Sequence, residues 1–248
     1  MRFGLLSYSP DWLKRVFRSK YLTLPFGIYV NLRTISESNL YFGQLGEDQA
    51  LERWLPESKG FYLDIGAGYP VRGSNTYLFY KRGWRGVAVE PIRSSTITYK
   101  LFRPRDKVIN RLAGNSSGYS YFYHFEPYEY STTNPEIATQ MSERPDTLLL
   151  SKRKVRQIRL SELDLRLTPH EPTFVSIDAE GADLDILKGF PWTISRPRVF
   201  CIEEWADRVN PTDNVTNFLV AQGYTLKENL SPSLIFVADE YLQKMETK

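Results

Sequence analysis

Asp64-Ile65-Gly66-Ala67-Gly68 follows directly on the apolar run Phe61-Tyr62-Leu63, so an acid and two glycines stand where a short strand runs out. Glycine at such a turn lets the backbone approach a ligand with no Cβ in the way. Open α/β sheets bind ligands beyond the carboxyl ends of their strands. As a bare string the turn is equally at home as an ordinary tight turn. A second acid, Glu90, closes the next apolar run, Gly86-Val87-Ala88-Val89. An acid about twenty residues past a glycine turn accepts hydrogen bonds from both hydroxyls of a ribose. The turn lacks the third glycine of a dinucleotide site, because Tyr69, Pro70 and Val71 follow Gly68. Nothing in it is built to wrap a pyrophosphate. A cofactor with a ribose and no phosphate fits better, and S-adenosylmethionine is one.

A third constellation is Ser176-Ile177-Asp178-Ala179-Glu180-Gly181-Ala182-Asp183. Burying carboxylates is costly unless they are paired or used, so Asp178 and Glu180, at and just after a strand end, are candidates for chemistry. Asp183 and Asp185 read as exposed helix acids, Asp183 also favoured by the helix dipole. Cys201, the single cysteine, excludes an intrachain disulfide and reads as a small buried residue in the run Val199-Phe200-Cys201-Ile202. His170 lies in a loop and takes no role.

The elements that must hold these residues alternate. Strands are expected at 61–65, 86–90, 108–112, 174–178, 198–203 and 233–238. Helices are expected at 46–55, 74–82, 182–187 and 214–222. Short apolar strands interleaved with helices predict a parallel α/β sheet flanked by helices, a Rossmann-like fold. The stretch 119–153 fits this alternation poorly. It is rich in aromatics (Tyr119, Tyr121, Phe122, Tyr123, His124, Phe125, Tyr128, Tyr130) and reads as a substrate-facing insertion. Near the N-terminus, Ser9-Pro10-Asp11 starts a helix. Trp12, Leu13, Val16, Phe17 and Tyr21 recur there at helical spacing among Lys14, Arg15, Arg18 and Lys20. This basic amphipathic helix, 9–21, either packs on the domain or touches a membrane surface or partner.

The composition is that of an ordinary globular protein, 42% hydrophobic and 25% charged, and a net charge of +3 gives no footing for a nucleic-acid partner. No signal peptide or transmembrane run is seen, which makes a cytoplasmic location the default expectation. Three Asn-x-Ser/Thr sequons begin at Asn115, Asn214 and Asn229 and carry no weight without a secretory signal.

In their order these motifs resemble the FkbM-type methyltransferases, from about Gln44 to Ile202. The resemblance is carried by Gln44-Leu45-Gly46-Glu47-Asp48-Gln49, Leu63-Asp64-Ile65-Gly66-Ala67-Gly68, Gly73-Ser74-Asn75-Thr76-Tyr77, Gly83-Trp84-Arg85-Gly86 and Val89-Glu90-Pro91. Ser176-Ile177-Asp178-Ala179-Glu180-Gly181, Leu187-Lys188-Gly189-Phe190 and Arg196-Pro197 continue it. It implies a class I methyltransferase sheet of seven strands with one antiparallel, S-adenosylmethionine at the glycine turn, and O-methylation of sugars or natural products. It further implies that Asp64, Gly66, Ala67 and Gly68 line the methionine and ribose part of the cofactor. Glu90 would hold the ribose hydroxyls, with Pro91 and Ile92 beside the adenine and residues 113–115, Asn115 among them, closing the adenine side. Ser74 and Asn75 either cap the following helix or touch cofactor, and Glu47 and Asp48 are caps or partners of the cofactor amine. The loop around Pro70 departs from the commoner family pattern. Residues 1–43 then form an accessory segment and 44–248 the methyltransferase domain.

Methyl transfer to a hydroxyl needs the acceptor aligned and its proton removed. Asp178 is the first candidate for that task and His124 another, although a histidine in an aromatic stretch also serves packing. Alternatively, Asp178, Glu180 and Glu203 or Glu204 hold a divalent cation such as Mg²⁺ or Mn²⁺. The expected activity is O-methylation of a sugar, glycan, glycolipid or small metabolite. The competing readings are a nicotinamide-dependent oxidoreductase and a non-catalytic cofactor-binding or membrane-associated scaffold.

Overall fold

A computed structural model describes residues 23–37, 40–163, 172–205, 210 and 212–247. The expected helix at 9–21 lies outside the described residues. In chain order the strands are β1 (Phe61–Ile65), β2 (Arg85–Val89), β3 (Lys107–Ile109), β4 (Leu112–Gly114), β5 (Gly118–Glu126) and β6 (Leu148–Arg159). They continue with β7 (Phe174–Ile177), β8 (Val199–Glu203), β9 (Tyr224–Asn229) and β10 (Ser233–Ala238). The helices are α1 (Thr23–Ser36), α2 (Glu47–Trp54), α3 (Tyr77–Lys81), α4 (Arg93–Phe102), α5 (Pro135–Ser142), α6 (Asp183–Lys188), α7 (Val215–Ala221) and α8 (Asp239–Glu246).

Seven strands form one sheet in the order β3-β2-β1-β7-β8-β10-β9. Strand β10 alone runs against its neighbours, antiparallel to both β8 and β9, while the other pairings are parallel. This is the seven-stranded layout with one antiparallel strand that the sequence motifs implied. Strands β1, β7 and β8 are buried along their whole length. That is why they read as continuous apolar runs without alternation. One face packs Leu63, Ile65, Val89 and Ile177 against Ile186 and Leu187 of α6 and Leu219 of α7. The other packs Tyr62, Phe174 and Cys201 against Leu51 of α2 and Leu78 and Phe79 of α3. Cys201 is a buried free thiol, as expected.

The chain order reverses beside β1, between β1 and β7, so the carboxyl ends of those strands diverge into a crevice. The stretch 108–112, expected as one strand, is divided. β3 ends at Ile109, the Arg111 N–H turns back onto the Ile109 carbonyl (3.0 Å), and Leu112 opens β4 of a second sheet. That second sheet, β4-β6-β5, accounts for most of the aromatic stretch 119–153. The aromatic alternation there is strand periodicity. Between β5 and β6 lie a short turn of helix at Tyr128–Tyr130 and helix α5, capped by Asn134, whose side chain accepts from the Glu136 and Ile137 N–H groups. Helix α1, not foreseen from the sequence, packs on α4. Among the described residues no helix is long and apolar enough to cross a membrane.

Candidate active site

A cleft of about 760 Å³, part of it open to solvent, lies at the carboxyl ends of β1, β2 and β7, where open α/β sheets bind ligands. Gly66, Ala67, Gly68, Glu90, Pro91 and Ile92 line it on one side, and Asp178, Ala179 and Glu180 on another. Phe122, Tyr128, Glu129 and Thr132, all from the second sheet's excursion, also line it.

The glycine turn is required sterically. Gly66 has φ +69°, and a Cβ there would stand 1.9 Å from the Asp178 carbonyl oxygen. The Asp178 N–H donates to the Ile65 carbonyl (3.0 Å), so the ends of β1 and β7 are stitched together with no room for a side chain. Gly68 has φ +54°, and a Cβ there would meet the Tyr128 ring at 2.9 Å. Tyr128 in turn packs edge-on against Tyr69 at 4.6 Å between centroids.

Glu90 is buried, and its two oxygens accept from the Gly68 N–H (2.8 Å) and the Ile92 N–H (2.6 Å). Each carboxylate oxygen retains a further lone pair for a ligand hydroxyl. Burial pushes its carboxyl up to about 7, against the pull of those two backbone donors. The cleft lining carries four carboxylates, Glu90, Glu129, Asp178 and Glu180, against the single guanidinium of Arg111.

Asp64 is placed differently from the expectation that it lines the cofactor. Alternation along β1 puts it on the same face as Tyr62, where it accepts from the Thr76 hydroxyl and stands 4.0 Å from the fully buried Arg103 guanidinium. Burial raises its carboxyl to about 6, opposed by Arg103. Arg103 reaches Asp106 (2.7 Å), the Tyr62 hydroxyl (2.9 Å), the Ser74 hydroxyl (3.1 Å) and the Pro70 carbonyl (3.2 Å). The Tyr99 hydroxyl donates to the Ala67 carbonyl (3.0 Å). Asn31 of α1 adds a brace, its amide oxygen accepting from the Val71 and Arg72 N–H groups. The loop past Gly68 is therefore held from behind by a buried polar network, and Asp64 belongs to that network.

Ser74 accepts from the Thr76 and Tyr77 N–H groups in the turn that leads into α3, whose N-cap position is Thr76. Asn75 donates to the Ser176 hydroxyl (3.2 Å). Glu47 accepts from the Leu45 N–H and Asp48 from the Phe42 N–H, so both acids hold the segment before α2 and do not cap the helix, whose N-cap is Gly46. Asn115 is exposed and, like these, does not line the cleft, whereas Ala113 does. His124 also lies outside the lining. It stacks on Phe122 at 6.2 Å, and burial, with the Arg153 charge, pushes its imidazole down to about 4.

Asp178, Glu180 and Glu203 each offer a carboxylate oxygen, and these lie within 4.8 Å of one another. Glu204, the other acid considered for this group, turns away to the Thr216 N–H (3.1 Å) and hydroxyl (2.7 Å). Glu180 adopts φ +47°, and its carbonyl accepts from the Thr132 hydroxyl (2.8 Å). Asp183 is not the exposed helix acid expected. It is buried, accepts from the Ala179 N–H (2.9 Å) and the Gly181 N–H (3.1 Å), and so shapes the Asp178–Gly181 turn. Burial first, then the nearby Glu203, raises its carboxyl to about 7. The sequence contained no cue for Arg103, Thr132 or this role of Asp183, because each depends on which segments meet in space.

The methyltransferase FkbM domain model matches residues 64–226, about two-thirds of the chain, and spans both the glycine turn and the Asp178 turn. The chain belongs to the FkbM methyltransferase family. It is therefore an S-adenosylmethionine-dependent methyltransferase, as its motifs implied. Among solved structures, this methyltransferase is similar to a TehB-like SAM-dependent methyltransferase from Corynebacterium glutamicum. The two are 11% identical over 85% of this chain and 96% of that one, with a TM-score of 0.41. It is also similar to an O-methyltransferase from Bacillus cereus solved with SAH, 14% identical over 92% of this chain and 96% of that one, with a TM-score of 0.38. No curated protein matches the chain significantly. The family assignment comes from the domain match.

Proposed function

We propose that this methyltransferase binds S-adenosylmethionine across the Gly66–Glu90 side of the cleft and methylates a hydroxyl group presented beside Asp178. The acceptor we assign is a sugar, glycan, glycolipid or small metabolite. The observation that carries the reading is the charge of the lining. Four carboxylates and one guanidinium suit a cationic sulfonium with an ammonium tail. The same lining repels a pyrophosphate, which argues against a nicotinamide dinucleotide.

The residues present fit that cofactor. Glu90 would accept from both ribose hydroxyls, and Gly66 and Gly68 would let the backbone close on the chain beside them. Pro91 and Ile92 would flank the adenine. When bound, S-adenosylmethionine supplies an electrophilic methyl group. Asp178 would orient the acceptor hydroxyl and take its proton as the oxygen attacks, and Asp183 would keep Asp178 in place through the turn it caps. The 119–153 excursion would close the cleft over the acceptor with Tyr128 and Thr132. The test is release of S-adenosylhomocysteine from a panel of saccharides, glycolipids and hydroxylated metabolites, with mass spectrometry locating the methyl. Transfer to amines or thiols in preference to every hydroxyl acceptor would refute the oxygen assignment. Cofactor binding without turnover on any acceptor would favour a non-catalytic scaffold.

One observation favours a second reading of the acids. Three carboxylate oxygens within 4.8 Å of one another form an oxygen donor set of the kind that Mg²⁺ or Mn²⁺ takes. Here Asp178, Glu180 and Glu203 would hold the ion, which would lower the acceptor hydroxyl's pKa. Under this reading chelation abolishes turnover until Mg²⁺ or Mn²⁺ returns, and Glu180→Gln costs nearly as much as loss of Asp178. Full activity in chelator, with a mild Glu180→Gln, leaves Asp178 as a metal-free base.

A further inference from the structure

Strands β5 and β6 carry a ladder that the cleft does not use. Their antiparallel register pairs Tyr119 with Arg156, Tyr121 with Lys154 and Tyr123 with Lys152, so the six side chains share one face. Phe122, one residue out of phase, points the other way and lines the cleft. Tyr119 is 73% and Tyr121 48% exposed, and all three cations are exposed. None of the three is in an ion pair with a described residue. Instead, Lys152 lies over the rings of Tyr121 (4.9 Å) and Tyr123 (5.0 Å), and Lys154 over Tyr121 (5.5 Å). Successive rows stand about 7 Å apart, two residues of antiparallel strand.

At its Tyr119–Arg156 end the ladder runs into an open groove of about 1300 Å³ beside the edge strand β3. Asn110, Gln157 and Arg111 line this groove as well, and Arg111 also lines the cleft. The one acid of the groove, Glu162, accepts from the Ser117 hydroxyl (2.6 Å), so cations outnumber acids along a track that ends at the candidate active site.

We infer that this track binds an extended anionic glycan, a chain bearing repeated carboxylate or phosphate groups, and holds it so that one of its hydroxyls reaches the cleft. The inference rests on the reading of a hydroxyl-bearing acceptor and narrows it to an acidic polymer. Charge selects an anion, since three exposed cations stand in a row without acidic partners among the described residues. The continuation into a groove favours a chain over a flat bilayer. Ammonium groups are seated over the Tyr121 and Tyr123 rings, so Tyr119 alone presents a ring with no cation over it, whereas single-stranded nucleic acid needs a row of faces for successive bases. Phenol hydroxyls and the groove amides suit a partner dense in hydroxyls.

The test uses the full chain and polygalacturonate, which carries a carboxylate on each sugar, in calorimetric titrations at low salt. Dextran of equal length, oligodeoxythymidylate and phosphatidylglycerol vesicles are the comparators. Polygalacturonate should bind at least about tenfold more tightly than dextran, and the binding should weaken at about 0.5 M salt, where exposed charges are screened. The triple variant K152Q/K154Q/R156Q should lose about tenfold or more in affinity. The charge-preserving K152R/K154R/R156K should retain it. S-adenosylhomocysteine affinity should be the same in all three proteins. That comparison separates this inference from the cofactor assignment, which would fail if wild type itself did not bind S-adenosylhomocysteine. Wild-type polygalacturonate affinity in the glutamine variant would overturn the inference. So would failure to discriminate polygalacturonate from dextran, or tighter binding to the oligonucleotide or the vesicles.

Discussion

Replacing Asp178 by Asn is expected to slow methyl transfer by about 10²–10⁴-fold, the range for a lost general base, while S-adenosylmethionine affinity changes far less. The residue sits one step beyond β7, with its own N–H on the Ile65 carbonyl and its carbonyl pressed against Gly66. Asn preserves that backbone geometry and the side-chain shape, so the variant removes charge and basicity alone. The loss should appear in kcat, because the proton is taken only as the oxygen attacks. A matching fall in cofactor affinity would mean that Asp178 faces the donor and not the acceptor. Near-normal turnover, with or without added Mg²⁺, would remove Asp178 from the mechanism.

Gly66→Ala should be the most damaging single-atom change to the fold of the site. The new Cβ would stand 1.9 Å from the Asp178 carbonyl oxygen and 2.8 Å from its carbon, both backbone atoms, at φ +69°. The left-handed conformation costs an L-residue roughly 1–2 kcal/mol and overpacking roughly 1–3 kcal/mol, so a loss of about 2–5 kcal/mol is expected. The ends of β1 and β7 must separate to admit it, which opens the cleft and abolishes S-adenosylhomocysteine binding. Gly83→Ala is the control: it shares a positive φ of +95° but has nothing within 4 Å of the added Cβ, so only the backbone part applies. Urea unfolding of both variants measures the difference. Equal stability losses would show that the contact between Gly66 and the Asp178 turn is not as tight as described.

The glycine turn, Glu90 and the Asp178 turn were legible in the sequence because each stands directly after a buried apolar strand and carries a residue type with few other uses there. Gly66 needs a positive φ, and an acid directly after a buried strand has few places to go. Asp64 shows where such reading stops. Its residue type belonged to the motif, but the alternation of β1 turned it to the opposite face, where Arg103, some forty positions later, claims it. Arg103 itself looks like any helix-end cation until β1, α3 and α4 close around it. Asp183 was read as a helix-start acid, yet it folds back onto the preceding turn and is buried. The second sheet was visible only as an excess of aromatics. The switch of partner from β2, which pairs with β3, to β6, which pairs with β4, occurs within a few residues after Ile109 and leaves no pattern of its own.

The central claim is that Glu90 receives the ribose of S-adenosylmethionine, and calorimetry with S-adenosylhomocysteine across pH tests it most directly. Burial pushes the Glu90 carboxyl up to about 7 against its Ile92 and Gly68 N–H donors, with Asp64 adding to the rise and Arg153 opposing it. Ribose hydroxyls donate to the ionised form, so binding favours the deprotonated carboxylate. Affinity should therefore rise as pH increases through about 7 and level off above it. Glu90→Gln should remove most of that slope and weaken binding above pH 7 by roughly 10–100-fold, since a hydrogen bond to a charged group contributes roughly 1.5–3 kcal/mol. Wild-type affinity in Glu90→Gln at every pH, or no binding of S-adenosylhomocysteine to wild type at all, would contradict the account.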